Sequence, residues 1–137
     1  MINKYKLVDF KTLGDDRGSL VALEKGGSIP FDIKRVYYIF DTKKHITRGG
    51  HAHINLKQMI VSVKGSCTFV IDNGRKKIEI ELCNPNEGLL IEGLIWREMK
   101  NFSKDCVLVV LASEYYDESD YIRNYEDFKK KVGSAKN

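Results

Sequence analysis

Apolar residues along this chain come in short runs, each broken after a few positions by turn formers. Extended segments read at Lys6 to Val8, Ser19 to Glu24, Arg35 to Asp41, Lys57 to Val63, Cys67 to Ile71, Ile78 to Leu82, Gly88 to Ile91 and Val107 to Ser113. They are rich in β-branched and aromatic residues, the types that fit a pleated, half-buried surface. Asp72-Asn73-Gly74 lies between two of them and marks a hairpin, because Asn and Gly tolerate the positive φ such turns require. Many short antiparallel strands predict an all-β sandwich or barrel. Helical spacing emerges only near the end, where Tyr121, Ile122, Tyr125, Phe128 and Val132 recur at three- or four-residue steps with charges between them. One C-terminal helix is expected there, with N-cap candidates in Asp117 to Asp120 and a frayed tail over Gly133 to Asn137.

A length of 137 residues suits one domain, with enough chain for a hydrophobic core and too little for two. No apolar run approaches the roughly 18 residues of a membrane-spanning helix. The opening MINKYKLVDFKTL scatters charges among its apolar residues, so it reads as mature structure and not as a signal peptide. Lysine and arginine exceed the acids by a formal +4, too weak and dispersed for nucleic acid and compatible with a small anionic ligand. Cys67, Cys83 and Cys106 are odd in number, widely spaced and mostly set in apolar segments. Free thiols, and hence a cytoplasmic setting, are expected.

The richest chemistry lies in Arg48 to His53, RGGHAH, which runs into the strand-like KQMIVSVKG. Side chains two apart on a strand share one face, so His51 and His53 are expected side by side. Two strand histidines satisfied by ordinary hydrogen bonds would be the plain alternative. Against it stand Gly49-Gly50, which permits close backbone approach, and the adjacent Arg48.

His51-Ala52-His53, four residues, Gln58, six residues and Gly65 together resemble the first motif of the cupin superfamily. The resemblance implies a small cupin, or jelly-roll, β-barrel. In metal-binding members this motif supplies two histidines and a glutamate, and a later motif supplies another histidine. This chain has Gln58 in place of the carboxylate and Trp96-Arg97 near the later histidine. An arginine cannot ligate a cation and an amide is a poorer ligand than a carboxylate, so no metal or other cofactor is expected.

A narrower resemblance spans nearly the whole chain. DDRGSLVALE, IPFDIKRVYYIFDT, RGGHAH, VKGSCTFVIDNG and the closing EYYDESDYIRNYEDF are similar to the sugar-nucleotide 3,4-ketoisomerases. The resemblance implies an isomerase that converts dTDP-4-keto-6-deoxyglucose into its 3-keto isomer, which an aminotransferase then takes toward 3-amino-3,6-dideoxy sugars. It also implies a homodimer, and the N-terminal strand-like segment offers an edge that a partner copy could pair with. Moving a carbonyl between adjacent carbons needs a base for the neighbouring proton and a donor for the enediolate. Histidine suits the base without metal or redox cofactor.

Carried residue by residue, the resemblance makes His51 the base for the proton on sugar carbon 3. His53 sits beside it, shuttling protons between the two oxygens or stabilising the enediolate. Tyr37 is expected on one strand face with Arg35 and Ile39, opposite Val36, Tyr38 and Phe40; it is either a donor to the sugar oxygen or a packing aromatic, and the resemblance favours the donor. Arg48, Arg17 and Arg97 are the candidates for the diphosphate, which guanidinium groups bind bidentately. At Arg97 relatives often carry a histidine after the tryptophan. Two other readings stand beside this one: a 3,5-epimerase of the same nucleotide sugar, and a non-catalytic cupin that binds a small molecule at the barrel mouth.

Overall fold

The structure, a computed structural model, describes residues 4–135. In chain order the elements are β1 (Lys4–Asp9), β2 (Leu13–Asp15), β3 (Gly18–Leu20), β4 (Arg35–Ile39), β5 (Arg48–His53), β6 (Lys57–Lys64), β7 (Cys67–Asp72), β8 (Lys77–Leu82), β9 (Glu87–Glu92), β10 (Trp96–Lys100), β11 (Val107–Ala112), a 3-10 turn (Glu118–Asp120), β12 (Tyr121–Ile122) and α1 (Tyr125–Ala135). Two five-stranded antiparallel sheets form, ordered β1-β9-β6-β11-β4 and β12-β5-β10-β7-β8, with β2 and β3 as a separate hairpin. This is the expected all-β, cupin-type jelly roll.

Period-two alternation sorts the side chains into layers. Ile60, Phe69, Ile71, Leu82, Leu89, Ile91 and Leu108 meet between the sheets as the main core. Burying each such side chain contributes about 1.5–3 kcal/mol, so this layer holds the sheets together. On the outer face of the first sheet Met59, Val61, Leu90 and Leu111 are covered by Ile29 and Phe31 from the segment between β3 and β4. On the outer face of the second, Ala52 and Trp96 pack against Phe128 and Val132 of α1. Because Ala52 and Trp96 point outward, their neighbours His51, His53 and Arg97 point into the sandwich.

Several boundaries depart from the sequence pattern. Of Ser19 to Glu24 only the first two residues are strand, in β3; Val21 and Leu23 pack instead on the outer cluster under Phe31. The helix begins four residues later than its apolar spacing indicates. Tyr121 and Ile122 are drawn into β12, pairing with His53 and Ala52, and Asn124 caps α1 by accepting the Asp127 amide at 3.0 Å. Asp117 caps the 3-10 turn, accepting the Ser119 amide, and not the α-helix. Gly133 to Ala135, expected as tail, belong to α1, and residues 136–137 lie outside the described residues. The Asp72-Asn73-Gly74 turn joins β7 to β8 as expected, with the Asn73 side chain accepting the Arg75 and Lys76 amides. β1 pairs along its length with β9 of the same chain, so its inner edge is already used. Cys67 and Cys106 are buried free thiols, while Cys83 is exposed.

Gly49 and Gly50 both have positive φ, 86° and 76°. At Gly49 a Cβ would come within 3.0 Å of the Arg97 carbonyl oxygen, at the point where the β5–β10 register shifts. Glycine therefore permits a bulge that sets His51 directly across from Arg97.

Candidate active site

Four strands and one short bridge place polar groups at one end of the sandwich. His51 and His53 share the inward face of β5, their ring centroids 4.8 Å apart and nearly perpendicular. Tyr121 of β12 closes over both, its ring 4.3 Å from His53 and 5.1 Å from His51. From β10 comes Arg97, buried and in register with His51. From the opposite sheet come Tyr37 on β4 and Gln58 on β6.

Arg97 is held rather than free. Its Nη1 donates to the Gln58 side-chain oxygen at 2.5 Å, while Nη2 and Nε donate to the Ile95 carbonyl at 2.9 and 3.3 Å. Gln58 in turn donates its amide N–H to the Tyr37 hydroxyl at 2.9 Å. Burial pushes the Arg97 pKa down to about 10, so it stays cationic at neutral pH, and its hydrogen-bond partners are all uncharged.

The same burial acts on the imidazoles. His51 is pushed down to about 4, chiefly by desolvation and then by the Arg97 charge. His53 is lowered further by desolvation, Arg97 and His51. Both are neutral at physiological pH, the form a base needs. The Asp120 carboxylate is fixed by the Asn55 and Leu56 amides, at 2.8 and 3.2 Å, and one oxygen lies 3.4 Å from His53 Nδ1. Among the described residues neither nitrogen of His53 has a hydrogen-bond partner, although both are buried. Tyr37 is raised above the ordinary phenol range by burial, so it remains a protonated donor.

Two adjoining cavities open onto these groups. One, of about 490 Å³, is bordered by His53, Arg35, Tyr116, Asp120 and Tyr121. The other, of about 350 Å³, is bordered by His51, Tyr37, Arg48, Arg35, Tyr121 and Arg123, so Arg35 and Tyr121 belong to both. The guanidinium of Arg35 lies over the Tyr37 ring at 5.2 Å, and that of Arg123 lies over Tyr121 at 4.2 Å while pairing with Glu118.

Of the six residues singled out in the sequence, the fold brings together His51, His53, Tyr37, Arg97 and Arg48. Arg97 is buried, is not among the residues bordering either cavity, and donates from each of its side-chain nitrogens to Gln58 or Ile95. Arg17 is not among the residues bordering either cavity; it lies in the β2–β3 turn, exposed and paired with Asp15. Tyr121, Asp120, Arg35 and Arg123 join the site although the sequence pattern placed none of them there. For Arg35 the signal was present, since strand alternation already placed it on the face of Tyr37.

The metal set of a cupin does not fit these residues. Gln58 offers its side-chain oxygen to Arg97, and the chain carries Trp96-Arg97, with no ligating side chain, in the neighbourhood of the motif's later histidine. Among the described residues no group of three or more His, Cys, Asp or Glu side chains is gathered for a cation.

The model of the FdtA family, described as WxcM-like, C-terminal, matches residues 3–133. A TDP-4-oxo-6-deoxy-alpha-D-glucose-3,4-oxoisomerase from Aneurinibacillus thermoaerophilus is 54% identical over 93% of this chain and 91% of its own length. A 3,4-ketoisomerase from Helicobacter canadensis superposes with a TM-score of 0.92 at 49% identity, covering 94% of this chain and 97% of that one. A mutant of the 3,4-ketoisomerase QdtA from Thermoanaerobacterium thermosaccharolyticum, solved in complex with TDP-4-keto-6-deoxyglucose, gives 0.93 at 45% identity, covering 98% and 97%. With this agreement along nearly its whole length, the chain belongs to the FdtA family of sugar 3,4-ketoisomerases.

Proposed function

We propose that this isomerase moves the carbonyl of dTDP-4-keto-6-deoxyglucose from carbon 4 to carbon 3. The observation that carries the reading is a neutral imidazole, His51, at the wall of a cavity that also presents the Tyr37 phenol and, behind it, a fixed guanidinium. In the first step His51 takes the proton from carbon 3, and the electron pair of that C–H bond forms the C3–C4 double bond of an enediolate. The carbonyl electrons move onto the carbon 4 oxygen, where the developing charge meets the Tyr37 O–H and the field of Arg97. In the second step the hydroxyl proton leaves the carbon 3 oxygen for the carbon 4 oxygen, the C3 carbonyl forms, and the C3–C4 double-bond electrons take a proton at carbon 4 from the His51 imidazolium, which returns to its neutral form. His53, its nitrogens unpartnered and next to His51, exchanges the proton between the two oxygens. No bond to a metal or redox group enters these steps.

The diphosphate is assigned to the guanidinium side of the cavity, with Arg48 from β5 and, added by the fold, Arg35 and Arg123. A chain with three free cysteines acting on a nucleotide sugar is assigned to the cytoplasm. We assign it a homodimer as well. Val36 and Tyr38 on the outer face of edge strand β4, and Phe40 just past its end, are 57, 64 and 58% exposed, an apolar strip that a second copy would cover.

Incubation with dTDP-4-keto-6-deoxyglucose, followed by NMR, tests the function. The expected product is the 3-keto isomer. An epimerised 4-keto sugar would make the chain a 3,5-epimerase, and unchanged substrate a binding module.

A further inference from the structure

We infer that Gln58 is a positioning residue that fixes the polarity of the Tyr37 hydroxyl, so that the phenol can only donate to the ligand. The inference rests on Tyr37 being the donor to the sugar oxygen. A guanidinium carries only donors, so the Gln58 atom facing Arg97 Nη1 at 2.5 Å must be the amide oxygen. The rest of the Arg97 fork is locked on the Ile95 carbonyl, which prevents it from following a rotated amide. The Gln58 nitrogen is thereby turned to Tyr37, to which it donates at 2.9 Å. That bond occupies a lone pair of the phenol oxygen and leaves its hydrogen to find another acceptor. Among the described residues no side chain or carbonyl accepts it, and Tyr37 borders the cavity next to His51. The ligand is the remaining acceptor, and a ketone oxygen, which can only accept, is its match.

A carboxylate at this position would reverse the arrangement. It too would pair with Arg97, but its second oxygen could only accept, so it would draw the phenol hydrogen inward and present lone pairs to the carbonyl. Nearly the same shape and a full complement of bonds to Arg97 would remain, and the added negative charge would act on Arg97 whether or not the phenol is present, so a cycle with Tyr37→Phe isolates the polarity. The cupin resemblance places a glutamate here in metal-binding relatives; in this chain the amide serves a different purpose.

The test is a double-mutant cycle of Gln58→Glu and Tyr37→Phe, with kcat and KM for dTDP-4-keto-6-deoxyglucose, dTDP affinity and thermal unfolding followed together. Tyr37→Phe is expected to lower kcat on the order of tenfold or more. Gln58→Glu is expected to lower kcat by a clearly larger factor when the Tyr37 hydroxyl is present than in the Tyr37→Phe background, where only its pairing with the Arg97 charge remains to act, with KM and dTDP affinity little changed. Multiplying losses in the double variant, or full kcat in Gln58→Glu when Tyr37→Phe is impaired, would overturn the inference and leave the role of Tyr37 standing. Full kcat in Tyr37→Phe would overturn both. Should Gln58→Glu not fold, Gln58→Met removes the donor at similar volume; a kcat loss that vanishes in the Tyr37→Phe background supports the inference, and full kcat rejects it.

Discussion

Arg97 stands directly across the β5–β10 ladder from His51, with its charge buried and its hydrogen bonds all made to uncharged groups. A buried cation without a carboxylate partner is costly to keep, so its position beside a proton-abstracting imidazole calls for a functional account. It disfavours a second positive charge on either histidine, adding to the desolvation that already lowers both.

The pH dependence follows from this pair. His51 must be neutral to act as base, and its pKa is held at about 4 against an ordinary 6.5. The kcat/KM profile should therefore stay level from pH 8 through pH 6 and fall only as the pH approaches that lower value. Removing the charge with Arg97→Gln should move the acid limb upward. It should stop short of 6.5, because burial is the larger cause. An acid limb near 6.5 in the unaltered enzyme would show a base outside this pocket.

Stability carries the same linkage. A histidine whose folded pKa is lowered binds fewer protons folded than unfolded between the two values, so stability is complete above about 6.5 and is lost as pH falls through about 4. For His51 the loss across that window is on the order of 3 kcal/mol, from about 1.4 kcal/mol per pKa unit. His53 extends the loss to lower pH. Thermal midpoints measured from pH 7.5 to pH 4.5 should fall in the unaltered chain, and His51→Asn should flatten the slope. Parallel curves for the two proteins would count against the buried, neutral state of His51.

How far the sequence reached is clearest at β5 and β12. The H-x-H spacing needs only strand geometry to place His51 and His53 on one face, and the pattern and the fold agree there. Tyr121 and Ile122 match a helical period as well as they match a strand, and only pairing with His53 and Ala52 decides between the two. Local spacing cannot register such a long-range contact, so Tyr121, Asp120 and Arg123 stayed out of the site. Trp96–Lys100, with three charges in five residues, does not resemble a strand; its place in mid-sheet depends on Trp96 having a helix to pack against and Arg97 having Gln58. Arg17 shows a different limit of sequence reading. A guanidinium is conspicuous in sequence wherever it falls, and among the described residues this one pairs with Asp15 in its own turn.

Chelation should leave turnover intact. The amide oxygen of Gln58 is committed to Arg97, the Asp120 carboxylate is engaged by the Asn55 and Leu56 amides, and two imidazoles by themselves are too few to hold a catalytic ion tightly. Dialysis against EDTA followed by assay is the check. Loss of activity that a stoichiometric divalent ion restored would replace acid–base chemistry with metal catalysis.

The oligomeric state should depend on the β4 face. Light scattering at working concentrations is expected to give twice the 15.7 kDa chain mass. Tyr38→Glu puts a charge into the exposed strip beside Phe40, whose ring lies 5.8 Å away, and should shift the population toward monomer. A monomer in the unaltered protein would contradict the assignment. A dimer untouched by Tyr38→Glu would move the interface to another face.

Replacing His51 bears most directly on the chemistry. Asn keeps approximate size and hydrogen bonding but cannot take a proton at neutral pH, so dTDP affinity should persist while kcat falls on the order of a hundredfold or more. Solvent exchange supplies an independent reading. In D2O the unaltered enzyme should place deuterium at carbon 4 of the product, because the proton delivered there comes from a group in exchange with water. His51→Asn should suppress this labelling together with any exchange at carbon 3. Turnover near normal in that variant would pass the role to His53, which borders the adjoining cavity, and after it to Tyr37. Labelling at carbon 3 that survived without product formation would separate the two steps, leaving proton removal to another group and making His51 the residue that returns the proton to carbon 4.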